Sequence, residues 1–264
     1  MLRDPNAVAA EAAERIALAL AESVQVRGRA DWATTGGSAA PWIYRRLAAL
    51  PLREVVPWPE IHVWWGDDRY VPRDHPLSNV KPFDDILLGS AYTDGDRPGE
   101  ARVGEPGPIA LPVDNLHPFP TTRAIGGAHG AAWCAAELAA ELIAAELEQA
   151  GEWPIFDLVV VGIGGDGHLL SVFPGSEALE SGELAMAIPA PTHIEPHVER
   201  VTLNPAVLGA ARQVLAVAAG AAKAAVLADI LGPDRDPGRW PAQLVRRAGA
   251  TWILDEAATG RLGR

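Results

Sequence analysis

Two side chains that can move a proton, Asp166 and His168, stand two residues apart in a glycine-rich stretch. A carboxylate placed this way on a tight turn can orient the imidazole as a general base. Residues 162–167 also match G-x-G-x-x-G after a predicted strand, a pattern that suits dinucleotide binding. That alternative needs a long helix, which residues 173–175 (Phe-Pro-Gly) interrupt, and an acid closing the next strand, whereas Glu183 precedes it. The pattern favours proton transfer, with an ordinary Asp-Gly-His turn as the alternative.

A second glycine-rich segment, residues 34–38 (Thr-Thr-Gly-Gly-Ser), stands between a predicted strand and a predicted helix. Glycines let the backbone approach an anion, and the N–H groups at a helix N-terminus attract it. Gly36, Gly37 and Ser38 are therefore candidate phosphate-binding residues. A tight turn in which Ser38 caps the helix explains the same residues, and both interpretations stay open.

Charged residues follow two further predicted strands. Asp67, Asp68 and Arg69 come directly after one of them, and Lys223 stands three residues after Gly220 at the start of a helix. Two acids at the end of a strand can take part in a binding or catalytic site, although capping of the next helix explains at least one of them. Lys223 can meet an anion or can be a solvated surface lysine.

The sequence offers little support for a metal or for a serine nucleophile. His193 and His197 have the i, i+4 spacing of a zinc helix, but Pro196 disrupts the helix that this spacing needs. Cys134 is the only cysteine, which excludes a cysteine-based zinc cluster and an intrachain disulfide. Ser171 lacks the G-x-S-x-G elbow of serine hydrolases. We expect no metal and no cofactor.

The elements that must position these residues alternate between strand and helix. Predicted strands cover 32–34, 61–65, 156–161, 184–188, 201–203, 213–218 and 251–254; predicted helices cover 5–26, 41–50, 79–88, 127–150, 221–231 and 241–247; residues 89–120 are predicted as loop. This alternation predicts an α/β, Rossmann-like fold with a mostly parallel sheet flanked by helices, in one domain over 1–264. Because ligands bind at the carboxyl ends of such strands, we expect four loops to meet in one pocket: 34–38, 66–69, 162–168 and 220–223.

Composition limits the classes of partner. The 264 residues carry a net charge of −12, which opposes binding to nucleic acid and anionic membranes. No apolar run approaches the ~18–20 residues that span a bilayer, and the first five residues lack the pattern of a secretory signal. We expect a cytoplasmic protein with a small-molecule ligand, no nucleic acid and no membrane partner. A monomer and a small homo-oligomer both stay open.

Several segments, in order along the chain, carry a resemblance to a known family. They are 35–38, 65–72 with 75–79, 156–175, 200–203, 220–224 and 252–255. The sequence resembles the group that comprises 6-phosphogluconolactonases and glucosamine-6-phosphate deaminases, and 162–175 is the most specific match. The resemblance implies hydrolysis of a sugar phosphate lactone, 6-phospho-D-glucono-1,5-lactone, to 6-phosphogluconate in the oxidative pentose phosphate pathway, without a metal or cofactor.

The resemblance also implies roles for individual residues. His168 takes a proton from the water that attacks the lactone carbonyl, and Asp166 fixes and polarises the imidazole. Positioning of the anionic substrate falls to Gly36, Gly37, Ser38, Asp67, Arg69, Arg200 and Lys223. Within that set, Arg200 is a candidate for phosphate binding and Asp67 for an orienting role.

Residues 171–175 distinguish the two branches of the group. Deaminases resemble this chain up to Asp-Gly-His and then carry Phe-Asn-Glu-Pro-Gly, whose glutamate assists ring opening, whereas this chain has Ser-Val-Phe-Pro-Gly. The missing acid favours the lactonase. The chain departs from lactonases at Asp68, where Glu is usual, at 165–170, where Pro-Asp-Gly-His-Thr-Ala is usual, and at 195–197, where a basic Lys-Pro-Pro loop is usual. Two alternatives stay open: a deaminase or isomerase of an amino sugar phosphate, and a non-catalytic sugar-phosphate sensor.

Overall fold

The computed structural model describes residues 1–89 and 108–263. Numbered in chain order, the strands are β1 (Ala30–Thr34), β2 (Ile61–Trp65), β3 (Asp67–Arg69), β4 (Leu116–His117), β5 (Gln149–Ala150), β6 (Trp153–Pro154), β7 (Leu158–Gly162), β8 (Ala185–Ile188), β9 (Arg200–Leu203), β10 (Gln213–Ala218) and β11 (Ala250–Leu254). The α-helices are α1 (Pro5–Arg27), α2 (Ala40–Ala48), α3 (Leu52–Val55), α4 (Lys81–Phe83), α5 (Thr121–Gly126), α6 (Ala131–Ala144), α7 (Val207–Ala210) and α8 (Ala224–Leu231). Within these described residues, no helix has the length and apolar character needed to cross a membrane.

Six strands form one parallel sheet in the order β11-β10-β7-β1-β2-β4. Counted along the chain and read from β4, this order is 3-2-1-4-5-6, the Rossmann arrangement. The apolar residues 158–161 of β7 are buried, as expected for a parallel strand covered on both faces. Helix α1 packs against β1, β7, β10 and β11. The predicted Rossmann-like α/β fold is confirmed.

A second, three-stranded antiparallel sheet has the order β3-β9-β8. The sequence predicts β8 and β9 as strands but does not predict that they leave the parallel sheet. β3 follows β2 after Gly66, whose carbonyl accepts a hydrogen bond from the Leu203 N–H at 2.8 Å. Residues 67–69 therefore lie where the two sheets adjoin, and α6 packs on β8 and β9.

The helix predicted over 127–150 is wrong at both ends, because α6 is shorter. Gly130 occupies its N-cap, and Ala128 before it has a φ of 55°. Glu146, just past the last turn, has a φ of 51°, in the left-handed region that does not continue a right-handed helix. The chain then forms a small hairpin in which β5 pairs with β6. Alanine-rich composition predicted the helix but not its length.

The long loop predicted over 89–120 is only partly testable. Residues 90–107 lie outside the described residues. Leu116 and His117 form β4, which pairs with β2 at the edge of the parallel sheet. The loop prediction is wrong at these two residues, because so short a strand has no recognisable period. The helix predicted over 79–88 is α4 followed by a π-helical turn, Asp84–Leu88.

The core includes tryptophans from the central strands. Trp64 and Trp65 are fully buried, which makes them core residues. The Trp64 indole Nε1 donates to the Asp31 carboxylate at 2.9 Å, which satisfies its polar atom inside the core.

Candidate active site

A cavity of about 460 Å³ lies where the order of the parallel strands reverses, between β1 and β7. Ligands of open α/β sheets bind at this kind of switch point. The four loops expected to meet all contribute to its lining, through Thr35–Ser38, Asp67 and Arg69, Gly162–Gly165 with His168, and Lys223. The site predicted from strand ends is therefore formed in the structure.

A second groove, of about 530 Å³, lies between the β5–β6 hairpin and residues 204–210. Among its described lining residues, Glu180 is the only ionisable side chain. The cavity at the strand ends is the smaller of these two, but it has the side chains that proton transfer needs and is therefore the better candidate for an active site.

The turn after β7 joins Asp166 to His168. The imidazole Nδ1 lies 2.5 Å from Asp166 Oδ1, and the His168 backbone N–H donates to the same oxygen at 3.1 Å. Burial acts to raise the pKa of Asp166, but its hydrogen bonds and the His168 charge together bring that pKa well below its usual range. An ionised Asp166 fixes the proton of a neutral His168 on Nδ1 and leaves Nε2 with a lone pair.

Gly164 lies against the ring of His168. A Cβ at Gly164 would lie 2.1 Å from His168 Nδ1, so a side chain at this position would displace the imidazole. The Gly164 N–H donates to the His168 carbonyl at 2.8 Å, which closes the turn. Phe173 packs beside the ring, with the two ring centroids 4.8 Å apart. Gly164 therefore makes room for the His168 ring.

A second histidine contacts the same carboxylate. His193 Nε2 lies 2.8 Å from Asp166 Oδ2, so Asp166 is held between two imidazoles. Sequence reasoning considered His193 only with His197, as a metal pair, and local spacing gives no signal across the 27 residues that separate His193 from Asp166. His197 Nδ1 instead faces the Pro191 carbonyl at 2.7 Å. Across residues 1–89 and 108–263, no group of three or more His, Cys, Asp or Glu side chains is arranged to hold a metal ion.

Asp67 lines the cavity through a buried carboxylate with two donors. Ser171 Oγ donates to its Oδ2 at 2.6 Å, and Asn79 Nδ2 donates to its Oδ1 at 3.2 Å. Ser171 thus supports an acid of the site and is not arranged as a nucleophile. Asn79 itself is fixed between Asp67 and the glycine loop.

Asp68 has a structural role. It is fully buried and accepts hydrogen bonds from the backbone N–H groups of Arg69 and Asn79 and from Ser78 Oγ. Burial raises the pKa of Asp68 to about 7, against the opposing effect of these donors. The alternative in which one acid of the pair caps the next helix is wrong for Asp68, because α4 has Val80 at its N-cap and no side-chain cap; Asp68 instead holds the turn at residues 78 and 79.

The glycine loop after β1 comes close to Asn79. A Cβ on Gly36 would lie 1.8 Å from Asn79 Oδ1, and Gly37 has a φ of 79°, so both positions favour glycine. Helix α2 has Ala39 at its N-cap and no side-chain cap. The alternative in which Ser38 caps the helix is therefore wrong, whereas the tight turn is present and Ser38 lines the cavity.

Two cationic side chains reach the cavity among its described lining residues, Arg69 and Lys223. Arg69 Nη1 donates to the Leu77 carbonyl at 2.6 Å, which orients the guanidinium. Lys223 is half-buried, and the cost of desolvating the ammonium lowers its pKa, while the nearby Asp166 charge opposes this shift. Both cations are available to an anionic group in the cavity.

Arg200, the third predicted cation, does not line the cavity. It pairs with Arg69 across β3 and β9, is 4% exposed, and donates from Nη2 to the Pro196 carbonyl at 2.8 Å. Arg200 therefore lies beside Arg69 and near Asp67 but behind the residues that line the cavity. Trp42, which sequence reasoning missed, stands at the rim of the cavity and is 53% exposed.

The strand order and the cavity at the switch point define an α/β protein with a polar cavity at the carboxyl ends of its parallel strands. A family profile described as "Glucosamine-6-phosphate isomerases/6-phosphogluconolactonase" matches residues 3–253. The chain belongs to this family.

Relatives with similar sequences come from the lactonase branch by name. A "6-phosphogluconolactonase" of Synechocystis is 33% identical over 245 residues, covering 92% of this chain and 88% of that protein. One of Nostoc is 30% identical over 263 residues, covering 99% and 97%. The solved structure of the 6-phosphogluconolactonase from Trypanosoma brucei covers 100% of this chain and 97% of its own, with a TM-score of 0.80 and 26% identity.

Proposed function

We propose that the chain hydrolyses 6-phospho-D-glucono-1,5-lactone to 6-phospho-D-gluconate, a step of the oxidative pentose phosphate pathway. The relatives named above support this substrate and reaction. The observation that carries the proposal is the His168–Asp166 pair, held at 2.5 Å beside a cavity that also presents Arg69 and Lys223. A base and two cations in one cavity suit water attack on an anionic ester.

In this mechanism His168 Nε2 accepts a proton from water, and the water oxygen attacks the lactone carbonyl carbon. Asp166 keeps the Nδ1 proton in place and stabilises the imidazolium that forms. The tetrahedral intermediate collapses by breaking the bond between the carbonyl carbon and the ring oxygen. His168 returns its proton to that oxygen, which becomes a hydroxyl, and the new carboxylic acid ionises in water.

The remaining residues position the substrate. In this mechanism the phosphate is held by the N–H groups of Gly36 and Gly37, the Ser38 hydroxyl and the ammonium of Lys223, and Arg69 adds a second positive charge to the cavity. Asp67, held by Ser171 and Asn79, orients sugar hydroxyls by accepting their hydrogen bonds. Arg200, which does not line the cavity, steadies the Pro196 carbonyl through its Nη2 donor.

The proposal treats residues 1–264 as one domain and places the reaction in the cytoplasm, in keeping with the single, buried cysteine, Cys134. No metal takes part in any step, because the reacting water is activated by the imidazole.

The test compares the purified chain on 6-phosphogluconolactone and on unphosphorylated gluconolactone, each corrected for spontaneous hydrolysis. We expect efficient turnover of the phosphorylated lactone and a clearly lower kcat/KM for the other. Ammonia release from glucosamine 6-phosphate, without lactone turnover, would instead favour the deaminase branch. Binding of the sugar phosphate with no turnover of either substrate would favour a sensor.

A further inference from the structure

His193 lies in the segment 189–199, which connects β8 to β9. Its Nε2 meets Asp166 Oδ2 at 2.8 Å, while His168 Nδ1 meets the other oxygen, Oδ1, at 2.5 Å. With the His168 backbone N–H, three donors surround one carboxylate. His193 makes the only side-chain contact of this kind to Oδ2 among the hydrogen bonds of the described residues.

We propose that His193 is a positioning residue for the catalytic pair: by holding the second oxygen of Asp166, it keeps the first oxygen aimed at His168. This inference rests on the proposed function, because it gives His193 a task in the same proton transfer. His193 acts through Asp166 and does not exchange a proton with the substrate.

The need for such a residue follows from the freedom of a carboxylate. The terminal torsion of an aspartate is broad, and both donors of His168 meet the same oxygen, Oδ1, so they leave Oδ2 unheld. A donor at the second oxygen fixes that plane. Phe173 supports the arrangement, since it packs 4.8 Å from the His168 ring and meets the His193 ring edge-on at 5.7 Å, with an interplanar angle of 87°. The two imidazoles therefore lie on a common aromatic neighbour with the carboxylate between them.

The contact between His193 and Asp166 also joins one wall of the cavity to the turn after β7, which carries Asp166 and His168. Ile194, the next residue, lines the cavity. The segment is braced further along by His197 Nδ1 on the Pro191 carbonyl and by Arg200 Nη2 on the Pro196 carbonyl. These braces do not touch Asp166, so the effect of His193 on the pair is separable from the folding of the segment.

The effect of His193 on the charge of Asp166 should be visible in the pH–rate profile, which a role in packing alone would not change. Among the residues that the structure describes, the charged or titratable groups that face Asp166 are His168, His193 and Lys223. A donor or a positive charge at His193 takes up part of the negative charge of Asp166 and so weakens its hold on a protonated His168. Removing His193 should make the imidazolium of His168 easier to form, which moves the acidic limb of the pH–rate profile to higher pH.

The experiment compares His193→Ala and His193→Gln, with His197→Ala as the matched control from the same segment. In His193→Ala we expect kcat to fall about tenfold, which corresponds to ~1.4 kcal/mol, with KM changed by less than about threefold and the acidic limb of the pH–rate profile moved to higher pH. Glutamine places an amide N–H near the position of Nε2 and should restore kcat to within about threefold of wild type. His197→Ala should keep both kcat and the pH profile.

The inference is overturned if His193→Ala keeps full kcat and an unshifted profile, if glutamine restores nothing, or if His197→Ala loses as much. An activity-independent readout separates it from the proposed function: imidazole 15N–1H correlation spectra of the whole chain should show the His193 Nε2 signal change in Asp166→Asn. A wild-type protein without lactonase activity would refute the proposed function, and the same spectra would still decide the contact. An unchanged His193 signal in Asp166→Asn would overturn the inference even in an active enzyme.

Discussion

Substituting Gly164 by alanine should disable the enzyme by moving one ring. A Cβ built on Gly164 lies 2.1 Å from His168 Nδ1, 2.3 Å from Cε1 and 2.6 Å from Cγ. Carbon atoms in contact normally stay about 3.5–4 Å apart, so the ring must retreat by about 1 Å or more. Because Nδ1 is 2.5 Å from Asp166 Oδ1, such a shift breaks or bends that hydrogen bond. A misplacement of about 1 Å can cost about 10²-fold in rate, or ~2.7 kcal/mol of transition-state stabilisation.

The neighbouring glycine supplies a matched control. A Cβ on Gly165 meets nothing within 4 Å, and Gly165 has no left-handed φ, so Gly165→Ala should leave the His168 ring in place. The assay measures kcat and KM of both variants on 6-phosphogluconolactone, with circular dichroism and thermal unfolding as tests of the fold. We expect kcat to fall about 10²-fold in Gly164→Ala and to stay within about threefold of wild type in Gly165→Ala.

Two results would refute this reasoning. A folded Gly164→Ala variant with near-normal kcat would show that the position of His168 does not control the rate. Equal losses in both variants would show that the turn tolerates no side chain for reasons unrelated to His168.

Three further outcomes are expected. Lys223→Ala should weaken binding of the phosphorylated lactone by roughly 10- to 150-fold, the value of a hydrogen bond to a charged group, and should affect unphosphorylated lactone much less; equal losses would remove Lys223 from the phosphate site. Turnover should survive dialysis against a strong chelator, because in the proposed mechanism the imidazole activates the water, and a loss that zinc or magnesium restores would contradict that mechanism. Burial, with the Arg29 charge, lowers the pKa of His62 to about 4, so the unfolded chain protonates His62 more readily than the folded chain does. The free energy of unfolding should therefore be highest above pH ~6.5 and fall by about 1–2 kcal/mol, after allowance for partial exposure, as the pH drops towards ~4. Urea unfolding at pH 7 and at pH 4.5 should show a smaller loss in His62→Asn than in wild type.

The place of the site could be predicted from the sequence because it depends on a general property of parallel sheets. The apolar run of β7 and the strand–helix alternation predict the sheet, and the carboxyl ends of its strands bring the loops of β1, β7 and β10 to one cavity. The contact between Asp166 and His168 could also be predicted from the sequence, since both residues lie in a single turn. Local spacing suffices for such features.

Contacts between distant segments could not be predicted in this way. His193 reaches Asp166 because β8 and β9 form their own antiparallel sheet, so the segment between them passes over the catalytic turn. The same sheet pairs Arg200 with Arg69 and buries it behind the cavity lining, although the family resemblance implies a phosphate contact for it. Pairing of this kind is decided by packing between strands, to which the local residue pattern gives no guide.

The most direct test of the central claim is the kcat of His168→Ala on 6-phosphogluconolactone, corrected for spontaneous hydrolysis and measured on protein whose circular dichroism and thermal unfolding match wild type. The account predicts a loss of about 10²–10⁴-fold, the usual contribution of a positioned general base, with the fold preserved, because His168 lies on a turn at the end of β7 and partly exposed to the cavity. A folded His168→Ala variant that retains near-normal turnover would contradict the claim that this imidazole activates the water.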